Sequence, residues 1–509
     1  MAQRYLCGVD VGTTATKAVL IDDHGTVLAE AAEPSHLIQP APGHVEQDLE
    51  EMLGETARAV RRCVQEAAVR PADVAAIGFD GQMAGIALID ERFRPVAPYD
   101  SWLDTRCGRC VAEMGEAAEQ IIALTGGPPS YTHGPKILWW QRERPEVFAR
   151  TAKVIMPAGY IAGALCGLEA AEAFIDPTYL HFSCFGDPQA GRWSAELLSR
   201  FGLPEDKFPR IVQPWAVVGR LTASGASSLG LAEGTPVVAG AGDQAAAMLG
   251  AGILRPGIVY DAAGTASVFA PCVPRFSPDL RHRTLLTARL VPEGLWYVIG
   301  YINGGGLNLR WFRDLLRAGG ETTWGYETLD DRAAGVPPGA DGLLFVPHLG
   351  GRVCPNRPDL RGAWVGLTWA HGIPHLYRAL LEAVAYEYAI YLSVARHLVP
   401  ELRFEEVRVV GGGAKSALWN QVKADVLQLP YVRLNRTEAA ALGTAILAGY
   451  GVGIFDDLND AVSRFTWPEA RFTPDPERAA PYRRAAALYE SLVAGHDALW
   501  QAVAGLAGQ

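Results

Sequence analysis

Two aspartates, each beside glycine at the end of an apolar run, are the residues of this sequence best equipped for chemistry. The first is Asp10, in a run that breaks at Gly12-Thr13-Thr14. A carboxylate at a strand end can hold Mg²⁺ directly or through water. Glycine lets backbone amides approach a phosphate, and threonine hydroxyls add donors. Lys17, on the next run, either adds charge there or points to solvent. Phosphoryl transfer needs such parts: a metal, amides around phosphate oxygens and a positioned acceptor. A plain hairpin turn would carry the same residues. The second aspartate is Asp243, in Gly240-Ala241-Gly242-Asp243-Gln244. An apolar run, 237–239, leads in, and a small-residue segment, 245–252, leads out. That places Asp243 at a strand-to-helix turn, where it can accept the proton of a hydroxyl that attacks phosphorus. Aspartate is also favoured there simply as a helix N-cap. A third feature, Gly411-Gly412-Gly413, lets a nucleoside lie against backbone, or makes a flexible turn.

The elements that must position these groups are legible around them. Run 5–11 reads as a strand, 16–22 as a second after the Gly-Thr-Thr turn, and 27–30 as the start of a third after Asp23-His24-Gly25. Segment 49–68 has helical spacing, and 74–79 is a strand ending at Asp80-Gly81-Gln82. Strands joined through helices indicate an α/β fold with ligands at strand ends. Run 258–262 leads to Gly264-Thr265-Ala266-Ser267 and on into 268–270. This echoes the strand–turn–strand setting of Asp10 and suggests a duplicated domain with a nucleotide between the copies. A strand at 407–410 precedes the three glycines, with helices at about 416–428 and 439–448. The break at Leu254-Arg255-Pro256-Gly257 divides the chain. The expected domains are 1–254, 255–472 and a helical tail, 473–509.

Composition narrows the class. The 509 residues exceed one hydrophobic core. With 45 Lys plus Arg against 56 Asp plus Glu, the formal charge of -11 argues against nucleic-acid binding. A nucleotide remains admissible, because a few amides and one metal can hold phosphates. No signal peptide or membrane span is evident, so a soluble cytoplasmic protein is expected. Of eight cysteines, Cys107 and Cys110 form one CxxC pair without a second to complete a zinc site, so reduced structural thiols are expected.

Together these segments resemble the carbohydrate kinase family that includes xylulokinase, gluconokinase and glycerol kinase, with xylulokinase the nearest likeness. Residues 8–14, GVDVGTT, resemble its first phosphate motif, and 43–48, GHVEQD, its early-loop motif. Residues 81–85, GQMAG, and 102–106, WLDTR, resemble sugar-contacting strand ends. Gly242-Asp243-Gln244 resembles the catalytic segment, and Ala263-Gly264-Thr265 the second phosphate motif. Residues 411–414 with Trp419 resemble the adenosine motif, and 438–443, EAAALG, the helix after it. The resemblance implies two ribonuclease-H-like domains of the actin/hexokinase/Hsp70-like ATPase fold with a central cleft. It implies ATP and Mg²⁺ as cofactors, Asp243 as general base and Asp10 as the Mg²⁺-linked carboxylate. It places Gln82, Met83, Ala84, Trp102, Asp104, His133, Asp243 and Gln244 at the sugar. It places Gly12, Thr13, Thr14, Lys17, Gly264, Thr265, Gly411, Gly412, Gly413 and Ala414 at the nucleotide. The partners are a small sugar and ATP, not nucleic acid or membrane, and a homodimer is allowed.

One residue departs from the pattern. Many xylulokinases carry histidine after the Gly-Gln-Met methionine, where this chain has Ala84. Asp80, Asp104 or a loop histidine, His133, are candidates to take over its hydrogen bond. By family frequency alone the resemblance makes a ketose such as D-xylulose the leading substrate, with a sugar acid or a polyol as alternatives. A catalytically silent sugar- and nucleotide-binding regulator and an actin- or chaperone-like ATPase are the rival readings. Retention of Asp10 and Asp243 disfavours the former, and the sugar-side motifs disfavour the latter.

Overall fold

The computed structural model describes residues 4–318, 320, 323–436 and 438–506. Contacts group the chain into two units. The first takes in Met1–Leu254, Thr287–Trp296 and Glu438–Thr466, and the second Arg255–Leu286, Tyr297–Thr437 and Trp467–Gln509. The units are thus interleaved in sequence, where the break at 254–257 and the composition after about 472 suggest contiguous spans. Segment Glu438–Thr466 packs with the first unit because its helix, Ala440–Gly451, is apolar nearly all round and must be buried. The terminal helices Ala479–Ala494 and Asp497–Leu506 are no separate tail. Their Tyr482, Tyr489, Val493 and Trp500 share a core with Tyr386 of the helix Ile373–Leu398.

In the first unit, strands β1 (Tyr5–Val11), β2 (Ala15–Asp22), β3 (Val27–Pro34), β4 (Val74–Gly81), β5 (Val217–Arg220) and β6 (Pro236–Val238) form one sheet. Their order is β5-β6-β4-β1-β2-β3. The first three make an antiparallel meander, while β1, β4 and β6 run parallel. A parallel neighbour needs a crossover, which the helix Leu49–Glu66 supplies between β3 and β4. Helices cover both faces, which is why β1 and β4 read as unbroken apolar runs rather than alternating ones. On one face the helix Leu49–Glu66, capped by Asp48, buries Met52, Ala59, Val60 and Cys63. On the other lies Ala440–Gly451, close enough that a Cβ on Gly8 would stand 2.0 Å from the Ala441 carbonyl oxygen. The same helix meets Asp243–Gly250 backbone to backbone, since a Cβ on Gly443 would be 2.0 Å from the Ala246 oxygen. The small residues of both segments exist for this approach.

The second unit repeats the arrangement. Strands β7 (Ile258–Ala263), β8 (Ser267–Val273), β9 (Glu406–Val410), β10 (Tyr431–Leu434) and β11 (Pro468–Phe472) are neighbours in the order β8-β7-β9-β10-β11. The β7–β8 hairpin is antiparallel, β7, β9 and β10 are parallel, and β11 returns antiparallel. This is the sequence of directions found across β2-β1-β4-β6-β5, so the fold is α/β and built twice: the actin/hexokinase-like ATPase fold. Its core holds a buried ion pair, with Lys423 Nζ 2.7 Å from Asp261 Oδ2 and the Tyr388 hydroxyl donating to Oδ1. Among the described residues no helix is long and apolar enough to cross a membrane. All eight cysteines are free, and burial pushes the Cys107 thiol up to about 12, which makes it inert at neutral pH.

Candidate active site

In-register pairing places Lys17 of β2, Asp10 of β1 and Asp80 of β4 in one row across three strands. Opposite residues of adjacent strands face the same way, so the three side chains share one side of the sheet. It is the side covered by Ala440–Gly451, whose Thr444 hydroxyl donates to Asp80 Oδ2 at 2.5 Å. Glu438, just before that helix, takes the Lys17 ammonium at 2.5 Å. Asp80 is wholly buried, and its carboxyl is within hydrogen-bonding reach of that of Asp10. Desolvation, and then the charge of Asp10, raises Asp80 well above the usual carboxylate range.

Asp243 belongs to the same neighbourhood. A bridge between Gly81 and Gly242 extends β4 and brings the start of Asp243–Gly250 to the strand ends. Gly242 is the N-cap and Asp243 the first helical residue, and its carboxylate is met by the backbone and side chain of Gln244. Burial pushes Asp243 up to about 7, and the nearby charge of Asp10 adds to the effect. Burial likewise raises Asp10 to about 6, with the Lys17 charge opposing.

Three residues that sequence reasoning did not single out hold this turn in place. The Thr178 hydroxyl accepts from Gly242 N at 2.8 Å and donates to Asp176 Oδ1 at 2.6 Å. The Tyr179 hydroxyl bridges the carbonyl oxygens of Gly81 and Ala241 at 3.3 and 3.1 Å. Asp176-Pro177-Thr178 was visible in sequence only as an Asx-type turn.

The sugar-side residues fall into two groups. Gln82 Nε2 donates to Gly12 O at 3.2 Å and to Gln47 Oε1 at 2.8 Å. The Trp102 indole donates to Thr13 Oγ1 at 2.8 Å. Met83 packs on Gly242, where a Cβ would come 2.5 Å from its terminal methyl carbon. These side chains line the surroundings of Asp10 and Asp243, with half-buried Ala84 next in the chain. Among the described residues the buried oxygens Gln82 Oε1 and Gln244 Oε1 accept no hydrogen bond, so both remain acceptors for a ligand hydroxyl. Asp104 is different: Oδ2 accepts from Val45 N at 2.6 Å and Arg106 Nε at 2.8 Å, and Oδ1 from Arg106 N. It ties the 43–47 loop to 102–106 and presents no free carboxylate. His133 is not in a surface loop but is the buried first residue of the helix His133–Glu143. Burial lowers it to about 4, so it is neutral, and Nε2 donates to Met83 O at 2.6 Å. It therefore positions the backbone beside Ala84.

The expected nucleotide residues divide between the units. Gly12, Thr13, Thr14 and Lys17 lie in the first. In the second, the β7–β8 turn of Gly264 and Thr265 accepts from the amides of Gly306 and Leu307 at 3.1 and 3.0 Å. Gly411, at φ +86, abuts Ala263, and a Cβ on Gly412 would meet open space. Gly264, Thr265 and Gly411 to Gly413 thus form one glycine-lined turn pair, above buried Ala414. Trp419 is fully buried beneath it, stacked by Lys423 at 3.8 Å.

For a divalent cation, Asp10 and Asp80 offer two carboxylates without a matching free cation, since Lys17 is already paired with Glu438. Mg²⁺ suits such a set, as it takes one or two carboxylates and completes its shell with water and phosphate. Among the described residues, the group of three whose ligand atoms lie within 4.8 Å of one another is His36, Glu51 and Glu55. It sits by Thr16, which faces away from the Asp10 row, and Glu55 is already bonded by Thr16 and Ser35.

Comparison with known proteins identifies the family of the chain. The model of the FGGY family of carbohydrate kinases, N-terminal domain, matches residues 5–250, and that of the C-terminal domain matches 276–452. A xylulose kinase of Bacillus subtilis is 28% identical over 496 residues, 96% of either chain. A gluconokinase of the same organism is 29% identical over 491 residues, covering 94% of this chain and 93% of the relative. The crystal structure of xylulose kinase from Rhodospirillum rubrum matches with a TM-score of 0.88 at 31% identity, covering 96% of this chain and 98% of that one.

Proposed function

This chain belongs to the FGGY family of carbohydrate kinases, and we infer that the hydroxyl it phosphorylates is carried by D-xylulose or a related ketose. The chain is an ATP-dependent sugar kinase. The observation that carries the mechanism is Asp243: a half-buried carboxylate at the first turn of a helix, raised to about 7 by desolvation and the charge of Asp10 although Gln244 hydrogen-bonds to it. A base works best when its pKa lies near the operating pH. As the acceptor oxygen bonds to the γ-phosphorus and the bond to ADP breaks, Asp243 takes the hydroxyl proton. Gln82 Oε1 and Gln244 Oε1 accept hydrogen bonds from other sugar hydroxyls and so orient the acceptor. Trp102 and Met83 supply apolar contact for its carbon atoms.

Asp10 is the carboxylate that holds Mg²⁺, which when bound neutralises the phosphate oxygens. Gly12 to Thr14 and the second turn of Gly264 and Thr265 serve the phosphates, and Gly411 to Ala414 serve the adenosine. A sugar acid is the second reading, supported by the gluconokinase likeness and by Ala84.

The test is sugar-dependent ADP release by the purified protein across pentuloses, hexuloses, aldonates and polyols. Fastest turnover with D-xylulose or another ketose is expected. An aldonate preference would move the assignment to sugar acids, and no sugar-dependent release at all would leave only a binding role.

A further inference from the structure

Asp80 has an arrangement that sugar recognition does not explain. Its carboxyl is fully buried, beside Asp10 on the adjacent strand. Oδ2 is held by the Thr444 hydroxyl at 2.5 Å, from a helix far along the chain. Among the described residues Oδ1 accepts no hydrogen bond, and the Asp10 carboxyl lies within hydrogen-bonding reach. A buried carboxylate oxygen without a donor is costly, and a second carboxylate beside it makes it more so. Lys17, in the same cross-strand row, is taken by Glu438. Two carboxylates, of which Asp80 has Oδ2 held by a hydroxyl and, among the described residues, no donor to Oδ1, fit a divalent cation of the Mg²⁺ or Mn²⁺ kind.

We propose that Asp80 is a second carboxylate of the divalent-cation site, alongside Asp10, and that Thr444 is its positioning residue. The proposal rests on the assignment of Asp10 to the cation. Thr444 fixes Oδ2, so Oδ1 faces the ion. The same contact explains why a helix made of small apolar residues keeps one buried threonine at this position.

The test titrates Mn²⁺ alone into the full-length protein and follows free Mn²⁺ by electron paramagnetic resonance. Asp80→Asn is expected to weaken binding roughly 100-fold. Thr444→Val, which keeps both carboxylates but releases Oδ2, should weaken it roughly 10-fold, as outer-shell changes do. Asp10→Asn serves as the positive control. Thermal unfolding with and without Mn²⁺ gives a second readout, in which both variants should lose the Mn²⁺-induced rise in Tm. Should Asp80→Asn not fold, Thr444→Val decides alone. Wild-type Mn²⁺ affinity in the variants, with Asp10→Asn impaired, overturns the proposal. Sugar-dependent ADP release by the wild type is scored separately. A kinase whose Mn²⁺ affinity ignores Asp80 refutes this inference and spares the proposed function. An Asp80-dependent Mn²⁺ site without sugar-dependent turnover does the reverse.

Discussion

Asp243→Asn should destroy turnover and stabilise the fold, and both effects come from one property of the carboxyl. Burial raises it from 3.8 to about 7. A carboxyl raised in this way is held protonated more tightly in the folded than in the unfolded chain. Its ionisation therefore costs nothing below the unfolded value. The cost grows as pH rises between the two values and is complete above about 7. A gap of about three units, at ~1.4 kcal/mol each, sets a ceiling of roughly 4 kcal/mol. Asparagine is neutral at every pH and also ends the repulsion with Asp10. The gain should thus be near its full size at pH above the folded value and vanish in acid, with Tm rising by roughly 2 °C per kcal/mol. Scanning fluorimetry of both proteins in a chelator, on either side of the window, measures it. Turnover should meanwhile fall by ~10²–10⁴, the usual worth of a general base. A variant equally destabilised at both pH values, or one with near-normal ADP release, would refute the assignment of Asp243 as a strained, functional carboxylate.

Three further outcomes are expected. On the acid side of about 7, kcat/KM should climb tenfold per pH unit and then level, because only ionised Asp243 accepts the proton; a pH-rate profile flat through that region would contradict it. Ala84→His should reorder the sugars by kcat/KM rather than scale them together, since residue 84 follows Met83, whose carbonyl His133 holds; unchanged ratios across the panel would remove residue 84 from the discriminating part of the site. Lys423→Met should cost about 3–5 kcal/mol by stranding the charge of Asp261, with partial recovery in the Lys423→Met/Asp261→Asn double variant, read from urea unfolding midpoints.

The strands β1, β2, β4 and β7, the Gly-Thr turns, the Asp243 turn and the helices near them could all be read from local pattern. Apolar runs, glycines and the spacing of small residues are properties of neighbours in the chain, and local backbone preferences suffice to express them. The motifs that carry the family likeness are of the same short-range kind. The partners of those motifs were not legible. Asp80 lines up with Asp10 only through the β1–β4 register, and its Thr444 contact joins residues from opposite ends of the first unit. Asp104 and His133 have residue types that suit sugar binding. Yet their lone pairs and protons go to Val45, Arg106 and Met83, and only packing distributes hydrogen bonds in that way. The interleaving of the units has the same origin. The helix Ala440–Gly451 has no polar face to show to water, so it is buried wherever glycines let a backbone come close. Gly8 on β1 and Gly250 at the end of the helix Asp243–Gly250 are where that happens, because hydrophobic burial is blind to distance along the sequence.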